Sequence, residues 1–245
     1  MHVRFWVIAL MAIEAIAFSG GAEPPSTQPT TASVDDGQGL VIEQMVTTKM
    51  PGMNAPPQHS TIYVQGKRMR IDMDKLVSSI ALEDGAVFTL THPLKTYYQP
   101  SKSDMKEEDE NVKAAGLVSK VDAKATGERG RINGFDVEAY VFERDVFGQH
   151  LDYKVWLAKD FPEAEHVRAI QEAFAKGNPY AQMGSNMLPA NLPKDLIVRF
   201  EVGMPRGGQT ISEVTSIKFA IVEDSKFVLP KEYKLQKMPN TPAGP

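Results

Sequence analysis

Hydrophobic and polar residues alternate along most of residues 59–99, which is the pattern of β-strands with one face in a core and one in solvent. The alternation is clearest in residues 68–73, where charged and apolar side chains occupy successive positions. Asp84-Gly85 separates two further apolar runs, and Asp-Gly favours a type I′ hairpin turn because both central residues need positive φ. This stretch therefore predicts a meander of antiparallel strands.

The same alternation recurs on both sides of the meander. Asn133-Gly134 supplies a second type I′ signal between two apolar runs. Together these patterns predict further strands at residues 40–48, 123–132, 135–144, 151–158, 196–204 and 209–222.

Two segments have helical rather than strand periodicity. Residues 107–115 are acidic and then apolar, which predicts a short helix with a solvated face. Residues 161–176 follow an Asx cap at Asp160 and carry one apolar stripe, formed by Val167, Ile170 and Phe174. A Pro-rich loop follows this second helix.

Long strands in hairpin order, with few helices, predict a mainly β fold with a minor α component. We expect residues 39–236 to form a strongly curved antiparallel sheet, or unclosed β-barrel, of about ten to eleven strands. Two to three helices are expected on its concave side.

The N-terminus has the pattern of a secretion signal, with Arg4 ahead of the apolar residues 5–13. Small residues between Ser19 and Ala22 offer a cleavage site. Residues 1–22 are therefore predicted to be a signal peptide, and the mature protein to be periplasmic or secreted. Nine apolar residues are too few to span a bilayer, so only peripheral association with the envelope is expected.

The segments next to this signal and at the C-terminus lack periodicity. Residues 23–38 are rich in Pro, Ser and Thr and are predicted to be a disordered linker. Residues 237–245 are predicted to be a disordered tail.

Composition narrows the classes of function. The 245-residue chain is 42% hydrophobic and 24% charged, and its formal net charge is −4. With no basic block, nucleic acid is not an expected partner. The absence of cysteine excludes disulfides, thiol catalysis and cysteine-ligated metals.

No catalytic motif is found in the sequence. The five histidines are scattered, and no G-x-S-x-G, HExxH, P-loop or G-x-G-x-x-G is present. The chain is therefore predicted not to be an enzyme, and no cofactor is expected.

One loop suggests an alternative based on metal binding. Met50 and Met53 flank a Pro-Gly turn, His59 follows, and thioethers suit Cu(I) in an exported protein. A methionine-containing hairpin loop is the favoured interpretation, because metal sites usually use three or four ligands. No metal site is assigned, and copper binding remains an alternative.

Several segments together resemble an uncharacterised family of exported bacterial proteins. The resemblance lies in residues 63–72, 95–98, 126–137 and 155–160 and in a Phe-x-x-Pro-x-x-Tyr element at Phe227, Pro230 and Tyr233. That family is similar in fold to the LolA/LolB-like lipoprotein carriers. The resemblance implies an unclosed barrel with helices over an apolar cavity, binding of lipid, acyl chains or another apolar ligand, and no known enzymatic activity.

The sequence also suggests which residues would contact such a ligand. We assign to one inner face, and to the helix over it, Met69, Ile71, Ile80, Leu82, Phe88, Leu90, Ile170 and Phe174. Apolar positions alone do not distinguish a cavity from a filled core. A scaffold recognised through its loops, without any ligand, is a further alternative.

Overall fold

Antiparallel hairpins make up most of the chain that can be described. The computed structural model describes residues 38–54, 56–100, 110, 121–146, 149–159, 161, 164, 167, 188–193, 195–204 and 207–236. Its thirteen strands are Gly39–Met50 (β1), Met53–Asn54 (β2), Gln58–Gln65 (β3), Arg68–Met73 (β4), Val77–Ala81 (β5), Val87–Thr91 (β6), Thr96–Tyr98 (β7), Lys124–Ile132 (β8), Phe135–Val146 (β9), Gln149–Ala158 (β10), Ile197–Met204 (β11), Gly208–Ala220 (β12) and Lys234–Leu235 (β13).

All thirteen strands belong to one sheet. Twelve follow one another in the order β13-β7-β6-β5-β4-β3-β1-β12-β11-β10-β9-β8, and β2 pairs with β1. This confirms a mainly β protein with a large, curved, unclosed sheet, whose edges are β13 and β8. The strand number exceeds the roughly ten to eleven predicted, because the two-residue strands β2 and β13 are too short to show a period-2 pattern.

The expectation of two to three helices is not met in the described part of the chain. A single four-residue 3-10 helix, Asp224–Phe227, is the helix that can be bounded there. The predicted helices at 107–115 and 161–176 fall largely outside the described residues, as do residues 1–37 and 237–245. No helix among the described residues is long and apolar enough to cross a membrane.

Both predicted Asx-Gly turns occur, but they are of different kinds. Asn133 and Gly134 have φ of 47° and 92°, as a type I′ turn requires. In the other hairpin Gly85 has φ of 80° whereas Asp84 is not in the positive region, so the type I′ assignment there is wrong. The amide of Gly85 donates to the carbonyl of Leu82. This hydrogen bond is typical of a three-residue hairpin loop in which a glycine takes the left-handed conformation.

The sheet has two faces that differ in what they bury. We call the core face the one on which Leu40, Ile42 and Val46 of β1 lie, because these side chains belong to the main apolar cluster. Strand pairing places Ile62 and Ile71 on the same face. The other side of the sheet is called the opposite face.

On strands β10–β12 the opposite face is largely polar. Arg199 lies between two carboxylates, with N···O distances of 2.9 Å to Glu201 and 3.3 Å to Glu213. The indole of Trp156 donates to Glu201 at 2.8 Å. These half-buried pairs make this side of the sheet polar, so the buried apolar side chains of this region lie mainly on the core face.

Candidate functional site

The core face carries most of the main apolar cluster found among the described residues, and part of the β10–β11 connection belongs to that cluster. Val167 and Leu192 belong to the main apolar cluster, and Phe161 and Leu188 pack against it. The core-face side chains of Leu40, Ile42 and Ile62 are 0% exposed. In the described residues, therefore, the core face is covered rather than open to solvent.

The predicted ligand-contacting residues do not share one face, which corrects the sequence-based assignment. Met69 and Ile71 lie on the core face and are 2% and 1% exposed. Ile80 pairs with Arg70, and Phe88 pairs with Ile80, so both lie on the opposite face.

Leu90 also lies on the opposite face, because it pairs with Ser78, and Ser78 pairs with Asp72, the β4 residue next to Ile71. Leu82 follows β5 and is half-buried, and Ile170 and Phe174 lie outside the described residues. The assignment failed because β5 is buried on both sides, so apolar character no longer indicates which way a side chain points.

The opposite face of the meander carries a second apolar cluster beneath the C-terminal segment, residues 224–236. Ile80 and Leu90 are 1% and 0% exposed, and Phe227 is 4% exposed. The guanidinium of Arg68 lies 4.6 Å from the centre of the Phe227 ring and pairs with Asp224 at 2.7 Å. The C-terminal segment thus gives β4–β6 a second buried face.

Polar groups tie this segment to the sheet. Arg70 donates through Nη1 to the carbonyl of Lys226 at 2.9 Å and through Nε to Asp72 at 2.5 Å. Its Nη2 donates to the hydroxyl of Ser78 at 3.1 Å, and that hydroxyl donates to Asp72 at 2.5 Å. Each charge in this group therefore has an opposite charge or a dipole as its partner.

A histidine completes this network. Nε2 of His92 is 2.6 Å from Oγ of Ser78, and its Nδ1 is 2.6 Å from the hydroxyl of Tyr233. Ser78 is 0% exposed, and the carboxylate of Asp72 bonds the serine rather than the histidine. This geometry differs from a hydrolytic triad, in which the carboxylate orients the histidine and the serine is accessible. The network is well suited to holding the C-terminal segment.

The core face contains buried polar residues with atoms that lack partners. Nε of Arg68 and Nε of Arg199, on the opposite face, also lack a hydrogen-bond partner, but both side chains are paired with carboxylates. Gln44 and Ser60 are 1% and 2% exposed and lie directly opposite each other on β1 and β3. Ser212 donates to Oε1 of Gln44 at 3.1 Å, but Nε2 of Gln44 and Oγ of Ser60 have no hydrogen-bond partner. Such unsatisfied buried groups are uncommon in folded proteins and require an explanation, such as an ordered water or a bound group.

A buried arginine lies on the same face near the β9–β10 hairpin. Arg144 is 4% exposed, and its Nε and Nη1 have no hydrogen-bond partner. It lies opposite Leu151 and on the same side of β9 as Phe142 and Val146. Burial lowers the pKa of the Arg144 guanidinium, and the nearby Tyr153 raises it.

Aromatic rings adjoin this arginine. Tyr153 stacks on Phe142 with ring centres 4.7 Å apart and meets Phe200 at 5.8 Å. Burial raises the pKa of Tyr153 to about 12. Its hydroxyl therefore stays protonated at neutral pH and remains a hydrogen-bond donor.

The opposite side of the same hairpin carries an exposed group of ionisable side chains. Nδ1 of His150 is 3.1 Å from Asp145, and Nε2 is 3.5 Å from Glu143 and 3.7 Å from Asp152. The hydrogen bond that His150 donates to Asp145 and the neighbouring carboxylates raise the pKa of His150. Glu143, His150 and Asp152 could each offer a metal ligand, but all three are exposed, and exposed acidic groups commonly occur without an ion.

The proposed copper ligands are not assembled at one point. Met50 pairs with Met53 across the β1–β2 hairpin, whereas His59 pairs with Met45. Five positions along β1 separate these two pairs, which corresponds to roughly 17 Å of strand. The register therefore does not support a site made by these three residues.

Comparison with known proteins identifies the family. Residues 44–233 match the family described as Domain of unknown function (DUF4412), and the chain belongs to this family. No curated protein matches the chain. The resemblance found in the sequence is thus confirmed at the level of the family.

Solved structures offer distant likenesses. Two structures of PNGF-II, in space groups C2 and P21, are 14% identical to this chain, cover 82% and 81% of it, and give TM-scores of 0.39 and 0.40. The chain spans only 31% of each PNGF-II chain. The LolA superfamily protein NE2245 from Nitrosomonas europaea is 8% identical, with 89% of this chain and 96% of that chain covered and a TM-score of 0.34.

Sequence reasoning missed the polar residues on the core face. Gln44 occupies a position of β1 where the alternation predicts an apolar residue, and Arg144 occupies such a position on β9. A polar side chain at a position where the period-2 alternation predicts a buried residue would have indicated both.

Proposed function

We propose that this chain is an exported, non-catalytic protein that binds lipid, an acyl chain or another amphipathic ligand on the core face of its sheet. One observation carries the proposal: Gln44 and Ser60 place buried polar atoms without partners side by side within a mainly apolar surface. A ligand with an apolar body and a polar group would satisfy both kinds of surface. Part of the β10–β11 connection would then have to move to admit it.

A non-catalytic role is supported by the one serine–histidine contact described above. Ser78 is inaccessible, and its hydroxyl already donates to Asp72. Catalysis would require a nucleophile within reach of substrate. We expect no labelling of the purified protein by a fluorophosphonate probe of serine hydrolases. Labelling that disappears in Ser78→Ala would overturn this part of the proposal.

Ligand binding is tested with two fluorescent probes, the neutral N-phenyl-1-naphthylamine and a dansyl-labelled undecanoate. We expect saturable binding of at least one at micromolar concentration. We also expect Ile71→Ala, on the core face, to change the affinity more than Ile80→Ala, which removes the same atoms from the opposite face. If neither probe binds, the core face is only a folding core.

A further inference from the structure

Arg144 is the most unusual charged group among the described residues. It is 4% exposed and has two buried nitrogens without partners. The described residues include no carboxylate within ion-pair distance of it, and the flanking Glu143 and Asp145 point to the opposite face, where they meet His150. An arginine stays protonated at neutral pH, so this is a buried charge without a counter-charge.

Such a charge is unfavourable for the unliganded fold. Removing a charged group from water costs several kcal/mol per ion, and the loss is offset only by good pairing. The half-buried arginines of the opposite face follow that rule, since Arg70 is paired with Asp72 and Arg199 with two glutamates. The exception at Arg144 indicates a counter-charge that the described residues do not supply and that a bound anionic ligand would supply.

The surroundings indicate what kind of partner it is. From Arg144 an apolar and aromatic surface runs along the core face through Phe142 and Tyr153 to Phe200. The protonated hydroxyl of Tyr153 lies on the same face, at the position diagonal to Arg144 on the neighbouring strand. A charged donor followed by an apolar track matches an anionic head followed by a hydrocarbon chain.

We infer that Arg144 is the anion-binding group of the ligand site and that the ligand is an amphiphile with a carboxylate or phosphate head. This inference rests on the proposed function and specifies its ligand class. The head lies at the β9–β10 end of the core face, where the guanidinium binds its oxygens. The chain extends towards Phe200 and the centre of the sheet.

Calorimetric titration of the full chain with dodecanoate, dodecyl phosphate and dodecanol tests the inference. These ligands share one hydrocarbon chain and differ only in the head. We expect one or both anions to bind at least about tenfold more tightly than the alcohol, since a hydrogen bond to a charged group is stronger than one to a neutral group. The ratio between the two anions distinguishes a carboxylate site from a phosphate site.

Two variants locate the preference at Arg144. Arg144→Met, which keeps the length of the side chain without its charge, should bind the anions and the alcohol about equally, whereas Arg144→Lys should retain part of the preference. Arg131→Gln is the matched control, because its side chain is 72% exposed and lies on the edge strand β8. It should leave all three affinities unchanged.

Unfolding of the unliganded variants supplies a second readout. Since the charge of Arg144 is unpaired, Arg144→Met should leave the urea midpoint unchanged or raise it. A large fall in that midpoint would show that Arg144 holds the fold, and the inference would be wrong. Equal binding of anions and alcohol by the wild type would also overturn it while the proposed function stands. If none of the three binds, both fail.

Discussion

Two groups of buried or half-buried polar residues lie on opposite faces of the same sheet, and they differ in how well their hydrogen bonds are satisfied. On the opposite face, Asp72, Ser78 and His92 each have hydrogen-bond partners within the network under the C-terminal segment. On the core face, Ser60 and Arg144 are buried, as Ser78 is, but have atoms without partners. The state of their hydrogen bonds, rather than burial alone, therefore distinguishes the two groups.

This difference has a physical basis. A satisfied network in a region of low dielectric stabilises one arrangement of the chain, here the docking of residues 224–236. An unsatisfied group lowers stability unless something binds to it. The C-terminal segment is thus explained by folding, and the core face is the region where we place ligand binding.

The largest expected effect tests whether the opposite face is a true second core. Ile71→Ala and Ile80→Ala remove the same atoms from side chains that are each 1% exposed, one on each face. Both should lower the free energy of unfolding by about 2–5 kcal/mol, measured by urea denaturation. A near-neutral Ile80→Ala would show that residues 224–236 do not cover this face in solution. The opposite face would then not be a second core.

A smaller effect distinguishes the two polar groups directly. Ser78→Ala removes a hydroxyl that bonds Asp72, Arg70 and His92, and should cost about 1–3 kcal/mol because partners are left unpaired. Ser60→Ala removes a hydroxyl without a partner, and should be neutral or slightly stabilising. Urea denaturation of both unliganded variants measures the contrast. Equal losses would mean that Ser60 has a partner in solution, and the distinction would fail.

The smallest effect concerns polar contacts in solvent, at the exposed group around His150. Its pKa is raised, so its contribution to stability is present below about pH 6.5 and is lost as pH rises through the folded-state pKa. In an NMR titration, Asp145→Asn should move the pKa of His150 back towards its ordinary value. Asp136→Asn, an exposed carboxylate elsewhere on β9, should leave it unchanged. No shift in Asp145→Asn would contradict the hydrogen bond.

The sequence by itself determined the strands and the type of fold. Period-2 alternation predicts β1, β3, β4 and β8–β12 to within a few residues, because each of these strands has one buried and one wet face or a strong turn beside it. Asn133-Gly134 predicts its turn because few other residue pairs adopt two positive φ values. These are local properties, and local chemistry is what a sequence shows most directly.

Only the tertiary structure decided which buried residues act together. Ile80 and Ile71 are alike in sequence, but their faces depend on the register between β4 and β5 and on a segment about 150 residues further along the chain. The partners of Ser78 and the lack of partners at Arg144 likewise depend on strands distant in sequence. The polarity of a side chain is known from the sequence. Its hydrogen-bond partners are not, because such pairs form only when the chain has folded.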